Sequence, residues 1–169
     1  MIKAKLVINN KEIEVEISEE ELKKFEEKSK KTGYERVEQG KTFCFQHADG
    51  NISVGYDHYN KNCDNYYETA NYYSDDTVAE NNIRADKLMR QLRRFAAEHK
   101  EQELDWKDSS QNKYYFYYNH DRNTIEYSFN NIFQEYRIIY FDSEENARLA
   151  VDTFRNELFW YFTEYKDSL

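Results

Sequence analysis

Hydrophobic and charged residues alternate along the first seventeen positions. Ile2, Ala4, Leu6 and Ile8 are separated by Lys3, Lys5 and Val7, and Ile13, Val15 and Ile17 follow Glu12, Glu14 and Glu16. A period of two predicts two strands. Asn9-Asn10 lies between them, and Asn tolerates the positive φ of a two-residue turn. A turn centred there pairs Leu6 with Ile13, Ala4 with Val15 and Ile2 with Ile17 on one face. The other face pairs Lys5 with Glu14 and Lys3 with Glu16, so the hydrophobic and charge registers agree. A helix is expected next: Ser18 and Glu21 form a capping box, Leu22 and Phe25 turn inward, and Gly33 supplies a stop.

The remaining chain reads as one pattern written twice. Phe43 and Phe45 alternate with Thr42 and Cys44, Asp49-Gly50 turns the chain, and Ile52, Val54 and Tyr56 lead back. Residues 57–69 are polar and read as a long loop. Tyr72-Tyr73 reads as a third short strand, and Ser74 or Asp75 caps a helix with Ala79, Ile83, Leu88, Leu92, Phe95 and Ala96 on its apolar line. After a polar connector over 98–112 that contains Trp106, the order returns. Tyr114, Phe116 and Tyr118 form a strand, His120–Asn123 a turn, and Ile125 and Tyr127 the return. Ile138, Tyr140 and Phe141 form a further strand. Ser143 then caps a last helix with Ala147, Val151, Phe154, Leu158 and Phe162 inward. Phe43-Cys44-Phe45 corresponds to Tyr115-Phe116-Tyr117 or its neighbours, and Tyr72-Tyr73-Ser74-Asp75 to Tyr140-Phe141-Asp142-Ser143. The expected class is α+β: an N-terminal β-hairpin plus helix (1–33), then two repeated antiparallel ββ(β)α units (34–100 and 101–169).

Composition adds less than pattern. Aromatics make up 17% of the 169 residues, which argues for a folded chain. The excess of Tyr and Asn, with no Pro and four Gly, reads first as the codon signature of a low-GC genome. Met1–Ile17 has no continuous apolar run, unlike a signal peptide, and no window approaches a membrane span. Two cysteines do not make a disulfide framework. The expected location is therefore the cytoplasm. The net charge of −9 is uneven: residues 101–169 carry fourteen Asp/Glu against seven Lys/Arg. Nucleic-acid affinity needs a basic footprint, so the last third suits a basic partner better.

Candidate chemistry is sparse. Cys44, His47, His58 and Cys63 are zinc-type ligands, but Cys44 and His47 differ by an odd number along one strand and point to opposite faces. No metal or other cofactor is expected. There is no nucleophile elbow, phosphate loop or zinc-protease motif, and the acidic pairs Asp75-Asp76 and Glu144-Glu145 suit the first turns of helices. An enzyme is not the favoured class. Two surfaces remain. Tyr115 and Tyr117 lie on one face of an aromatic strand, and with Glu126, Asp142, Glu144, Glu145 and Asp152 they form a candidate acidic and aromatic protein-binding surface; packing between the two units is the competing use of the two tyrosines. Lys87, Arg90, Arg93 and Arg94 form a basic helix stripe that could touch phosphate.

Four stretches carry a resemblance: Leu92-Arg93-Arg94-Phe95-Ala96, Asp105-Trp106, Lys113-Tyr114-Tyr115 and Tyr140-Phe141-Asp142-Ser143-Glu144-Glu145. With their surroundings over 34–165 they resemble uncharacterised accessory proteins of phages, plasmids and integrated elements of low-GC Gram-positive bacteria. The resemblance transfers no functional residue; it implies a host bacterial cell as the setting. The expectation is a non-enzymatic macromolecule-binding protein. It would inhibit a host defence or nucleic-acid-handling complex of the anti-CRISPR or anti-restriction type, with a basic surface on a host protein or protein–nucleic-acid complex as partner. A nucleic-acid or nucleotide-binding module using the basic stripe and exposed Tyr is the alternative, and a homodimer is the third.

Overall fold

The computed structural model describes residues 2–8, 11–21, 23 and 31–165. Strands β1 (Ile2–Ile8) and β2 (Lys11–Ile17) pair antiparallel in the register expected from the two alternations, with Leu6 opposite Ile13, Ala4 opposite Val15, Ile2 opposite Ile17 and Lys5 opposite Glu14. Among the described residues an ion pair forms on the diagonal, from Lys5 Nζ to Glu12 at 2.9 Å. The Asn9-Asn10 turn and the helical positions Leu22 and Phe25 lie outside the described residues. The start of that helix is seen in its capping box: the Glu21 N–H donates to Ser18 Oγ at 3.1 Å, and the Ser18 N–H donates to the Glu21 carboxylate at 2.9 Å.

Gly33 is buried with φ +89°, and an added Cβ would fall 2.6 Å from Val78 Cγ2. Both its conformation and the space around it require glycine.

Strands β3 (Thr42–Gln46) and β4 (Ile52–Tyr56) form the second hairpin, turned at Asp49-Gly50 as expected. The chain after it departs from expectation. Residues 57–69 are not a long loop, because Lys61–Glu68 forms helix α1. The Asn60 side chain caps it by accepting the N–H groups of Asn62 and Cys63. Cys63 and Tyr66, three apart, pack with Phe43 and Phe45 on one face of the hairpin.

Tyr73 then bridges to Cys44 through two backbone hydrogen bonds of 2.8 and 2.9 Å. Asp75, rather than Ser74, caps the 24-residue helix α2 (Asp76–His99) by accepting the Val78 N–H.

Strands β5 (Lys113–Asn119) and β6 (Thr124–Asn130) repeat the hairpin, and Phe141 bridges to Tyr114 as Tyr73 does to Cys44. Of the strand expected over 138–141, only this bridge forms. Ser143 caps helix α3 (Glu144–Thr153) through the Asn146 N–H. The expected single last helix breaks at Phe154 (φ −107°, ψ 19°) and continues as α4 (Arg155–Thr163). Backbone bonds still join Phe154 to Ala150 and Leu158 to Phe154, so the break is a bend that swings Leu158 and Trp160 inward.

The fold is therefore α+β, with each of the last two hairpins followed by helices. The bridges place Cys44 in the role of Tyr114, two positions earlier than Phe116, its counterpart in the Tyr115-Phe116-Tyr117 correspondence read from sequence. A further correspondence follows. Tyr72 and Tyr140 precede the two bridging residues, both are buried, and each phenolic oxygen accepts one loop N–H, from Val37 at 3.1 Å and from Glu135 at 3.0 Å.

The units share one element. The first turns of α2 lie against β3 and β4, while Leu88, Leu92 and Phe95 join Ile125, Phe141, Ala147, Ala150, Val151 and Leu158 in the main core. Among the described residues no helix is long and apolar enough to cross a membrane.

Candidate protein-interaction surface

Of the residues read from sequence as one acidic, aromatic surface, Asp142 is buried and the others lie on β5, β6 and α3. Tyr114, Phe116 and Tyr118 pack against the core, so the pleat sends Tyr115 and Tyr117 to the opposite face of the β5–β6 hairpin. Tyr115 meets Tyr140 edge-on there and does not pack between the two units. Tyr117 is exposed and donates to Glu126 at 2.9 Å. Glu126 also accepts from Asn119 and Arg122. The Tyr117 hydroxyl hydrogen bond, first among these, keeps the Glu126 carboxyl below its usual range.

Asp142 is buried and is withdrawn from the surface altogether. Its carboxylate accepts the backbone N–H groups of Glu101 and Gln102 and the Asn146 side-chain amide, tying the connector to the start of α3. Burial opposes its ionisation, but these hydrogen bonds outweigh burial and hold its pKa below the usual value. Glu144 pairs with Arg148, and Asp152 with Arg155 at 2.6 Å. Of the five carboxylates, Glu145 alone is exposed without an ion pair among the described residues.

The basic stripe fares differently. Lys87, Arg90, Arg93 and Arg94 all lie exposed on α2. Arg94 approaches Glu98 at 3.8 Å, and the other three form no ion pair among the described residues. The zinc-type set is dispersed: Cys63 packs beside Phe43 on one face of the first hairpin, Cys44 sits on the opposite face, and His47 pairs with Asp49 at 3.4 Å.

Two further buried polar groups carry structure. Asp57 accepts from Arg36 Nε and Nη2 at 2.8 and 3.1 Å, from the Tyr59 N–H at 2.8 Å and from the Tyr72 hydroxyl at 2.9 Å. Arg36 holds the Asp57 carboxyl well below the usual carboxylate range, and burial first, then Asp57, pushes the Tyr72 phenol up to about 12. Lys113 is fully buried, with Nζ donating to the Asp108 carbonyl at 2.8 Å and lying 5.3 Å from the Trp106 ring centre. Beside it, Gln102, Asp108, Ser110, Gln111, Tyr114 and Asp142 line an open polar cleft of about 380 Å³.

Four exposed apolar residues lie where the sequence reading assigned nothing. Phe129 is 52% exposed, Ile132 73%, Phe133 60% and Tyr136 87%, all within the end of β6 and the segment that follows it. The segment is anchored at both ends. The buried Asn130 side chain accepts long hydrogen bonds from the N–H groups of Ile132 and Phe133 (3.4 and 3.5 Å), and Tyr140 holds the Glu135 N–H. Arg137 adopts φ +66° and lies over the Tyr136 ring at 5.4 Å. The spacing 129, 132, 133, 136 has the period of an amphipathic helix, but Phe129 belongs to β6 and residues 131–137 form neither helix nor strand, so the pattern does not mark the projection.

No family model, no curated protein and no solved structure matches this chain.

Proposed function

We propose that this chain acts without catalysis, by binding another protein through the apolar projection formed by Phe129, Ile132, Phe133 and Tyr136. One observation carries the reading: four large apolar side chains, each more than half exposed, fall within eight consecutive residues on a backbone held at both ends. Scattered exposed hydrophobics need no explanation, whereas a contiguous cluster rich in aromatics is characteristic of the buried centre of interfaces. Anchoring reduces the ordering entropy lost on binding, so little of the contact energy is spent on the loop.

The acidic C-terminal third fits this reading as a long-range field rather than as the contact itself. Seven excess negative charges over 101–169 steer a basic partner toward the projection. A pure charge mimic draws less support, since Asp142 is buried and Glu126, Glu144 and Asp152 are already engaged. The resemblance to accessory proteins of mobile elements supplies the setting, in which a stoichiometric inhibitor of a host defence or nucleic-acid-handling complex is the natural role.

The test is affinity capture from a host lysate with mass spectrometry, comparing the chain with an Ile132→Asp/Phe133→Asp variant whose melting is checked first. Both positions are exposed, so the variant should fold, and proteins retained by the wild type should be lost. Equal retention would overturn the reading. Direct nucleic-acid binding is favoured by one observation, the exposed cations Lys87, Arg90 and Arg93, which form no ion pair among the described residues. Capture that survives the apolar changes but disappears with nuclease, or with Arg90→Glu/Arg93→Glu, would select that reading instead.

A further inference from the structure

Aligned by their bridges, the two hairpins present the same outer face and cover it differently. Phe43 corresponds to Lys113 and Phe45 to Tyr115, and each of the latter pair stands opposite a serine, Ser53 or Ser128. In the first unit this face carries α1. Tyr66 lies on Phe45 with ring centres 4.4 Å apart, and Cys63 packs beside Phe43. Fifteen residues, 57–71, lie between β4 and Tyr72, and α1 is built from them. Only nine, 131–139, lie between β6 and Tyr140, and they form neither helix nor strand.

The second hairpin thus keeps the seat of α1 with no helix on it. Trp106 covers the Lys113 row, its ring centre 5.3 Å from Nζ. The next row has no such cover. Tyr115 is half-buried, and its ring neighbours are Tyr140, edge-on at 5.5 Å, and Tyr117 of its own strand at 6.4 Å. Among the described residues no helix makes a hydrogen bond or ring contact with Tyr115, Tyr117 or Ser128. The short segment does not substitute for one, because its large apolar side chains, Ile132, Phe133 and Tyr136, remain more than half exposed.

The first unit also shows what fits such a face: a two-turn helix that lays one aromatic ring on the strand and turns polar residues outward. A second copy of this chain cannot supply it. Its α1 is held in place by the Asn60 cap, the buried Cys63 and the Arg36–Asp64 pair at 2.8 Å. Nucleobases would find tyrosines to stack on, but the register puts the Glu126 carboxylate on the same face, directly opposite Tyr117 and hydrogen-bonded to it. That sign disfavours phosphate and suits a helix that carries lysine.

We propose that the outer face of the β5–β6 hairpin docks a short amphipathic helix of a partner protein, seating one aromatic ring on Tyr115 as Tyr66 is seated on Phe45. The ring would meet Tyr115, Tyr117 and Ser128, and a lysine on the flank of the helix would meet Glu126. A single aromatic anchor in a partly enclosed seat is the usual centre of such a contact. The projection after β6 contributes no side chain to it.

The experiment titrates isotope-labelled full-length chain with a synthetic peptide copying residues 60–69, followed by amide shifts. The peptide carries Cys63→Ala, Asp64→Lys and Glu68→Lys, and a hydrocarbon staple joins its outward positions 61 and 65, since ten residues do not hold a helix alone. The expected result is shifts centred on residues 115–117 and 126–128. Affinity should fall about tenfold or more when the peptide also carries Tyr66→Ala, and equally when the chain carries Ser128→Arg, which projects into the seat. The peptide variant decides the matter should Ser128→Arg fail to fold. No shifts at these residues, or equal binding of the Tyr66→Ala peptide, would overturn the proposal. Shifts confined to residues 43–55 would overturn it too, because the peptide would then be displacing the resident α1. So would a single-stranded oligonucleotide that shifts residues 115–117 and competes with the peptide. Ile132→Asp/Phe133→Asp should leave the affinity within about twofold; a tenfold loss there would assign the shifts to the projection and overturn the proposal.

Discussion

Asp57 shows how one buried charge can organise a neighbourhood. Ionised, it accepts four hydrogen bonds: two from Arg36, one from the Tyr59 backbone and one from Tyr72. Arg36 in turn reaches Asp64 at 2.8 Å and lies over the Tyr59 and Tyr67 rings, so α1, the segment leading into β3 and the buried Tyr72 meet at one carboxylate. Removing the cation would strand a buried anion, the costly way to break such a pair. The folded pKa of Asp57 lies below its unfolded value, so its contribution is fully present above the unfolded value of about 4 and is lost as pH falls through the folded pKa. Arg36→Met should therefore lower the melting temperature most at pH 7, and the gap to wild type should close as pH is taken down toward 2. A gap that stays constant across that range, followed by circular dichroism melts, would remove Asp57 ionisation as its source.

The two hairpins show how one framework accommodates different interiors. Aligned by their bridges, Phe43 of β3 corresponds to Lys113 of β5, and both are buried. Phe43 stacks on Tyr72 with ring centres 4.2 Å apart, whereas Lys113 lies under Trp106, which meets Tyr140 edge-on at 4.8 Å. A buried ammonium with one carbonyl acceptor and one ring recovers little more than its desolvation cost. Lys113→Met should thus change stability by no more than about 1 kcal/mol. Lys113→Ala, which leaves a void under Trp106, should cost about 2 kcal/mol or more. Chemical denaturation of the two variants, read by tryptophan fluorescence, decides it; a severe loss in the Met variant would mean that the charge itself holds the connector.

What was legible at this scale follows from how local each signal is. The β1–β2 register could be read because two independent patterns, apolar and charged, demanded the same pairing. The caps at Ser18 and Ser143 are equally local. Helix α1 could not be read, because eight residues with Cys63 and Tyr66 inward are too short a run, amid Asn and Asp, to show a helical period. Asp142 was read as one carboxylate of an acidic surface, and only the fold of the 98–112 connector shows that it is enclosed. The Phe129–Tyr136 projection was unreadable for a different reason: its apolar stripe is ordinary, and what marks it is that nothing packs there.

Across the whole molecule, α2 decides whether the two units can behave independently. Its capped start is pinned beneath the first hairpin, with Val78 against Gly33 and Asp75 capping, while Leu88, Leu92 and Phe95 belong to the core of the second. Arg84 adds a bidentate pair to Glu157 of α4 and lies 3.8 Å from the Trp160 ring centre, fastening the middle of the helix as well. The first hairpin keeps only a small cluster of its own around Phe43, Cys63 and Tyr72. A helix propagates cooperatively, so loss of its second half should release the first. Leu92→Ala, at a site with almost no exposure, should cost about 2–5 kcal/mol. Amide exchange should then accelerate together in β3 and β5, although Leu92 belongs to the core around β5 and not to the cluster beneath β3. Faster exchange confined to residues 113–163 would show that the first hairpin and α1 hold α2 unaided. In that case the first hairpin and the projection after β6 would belong to separable units.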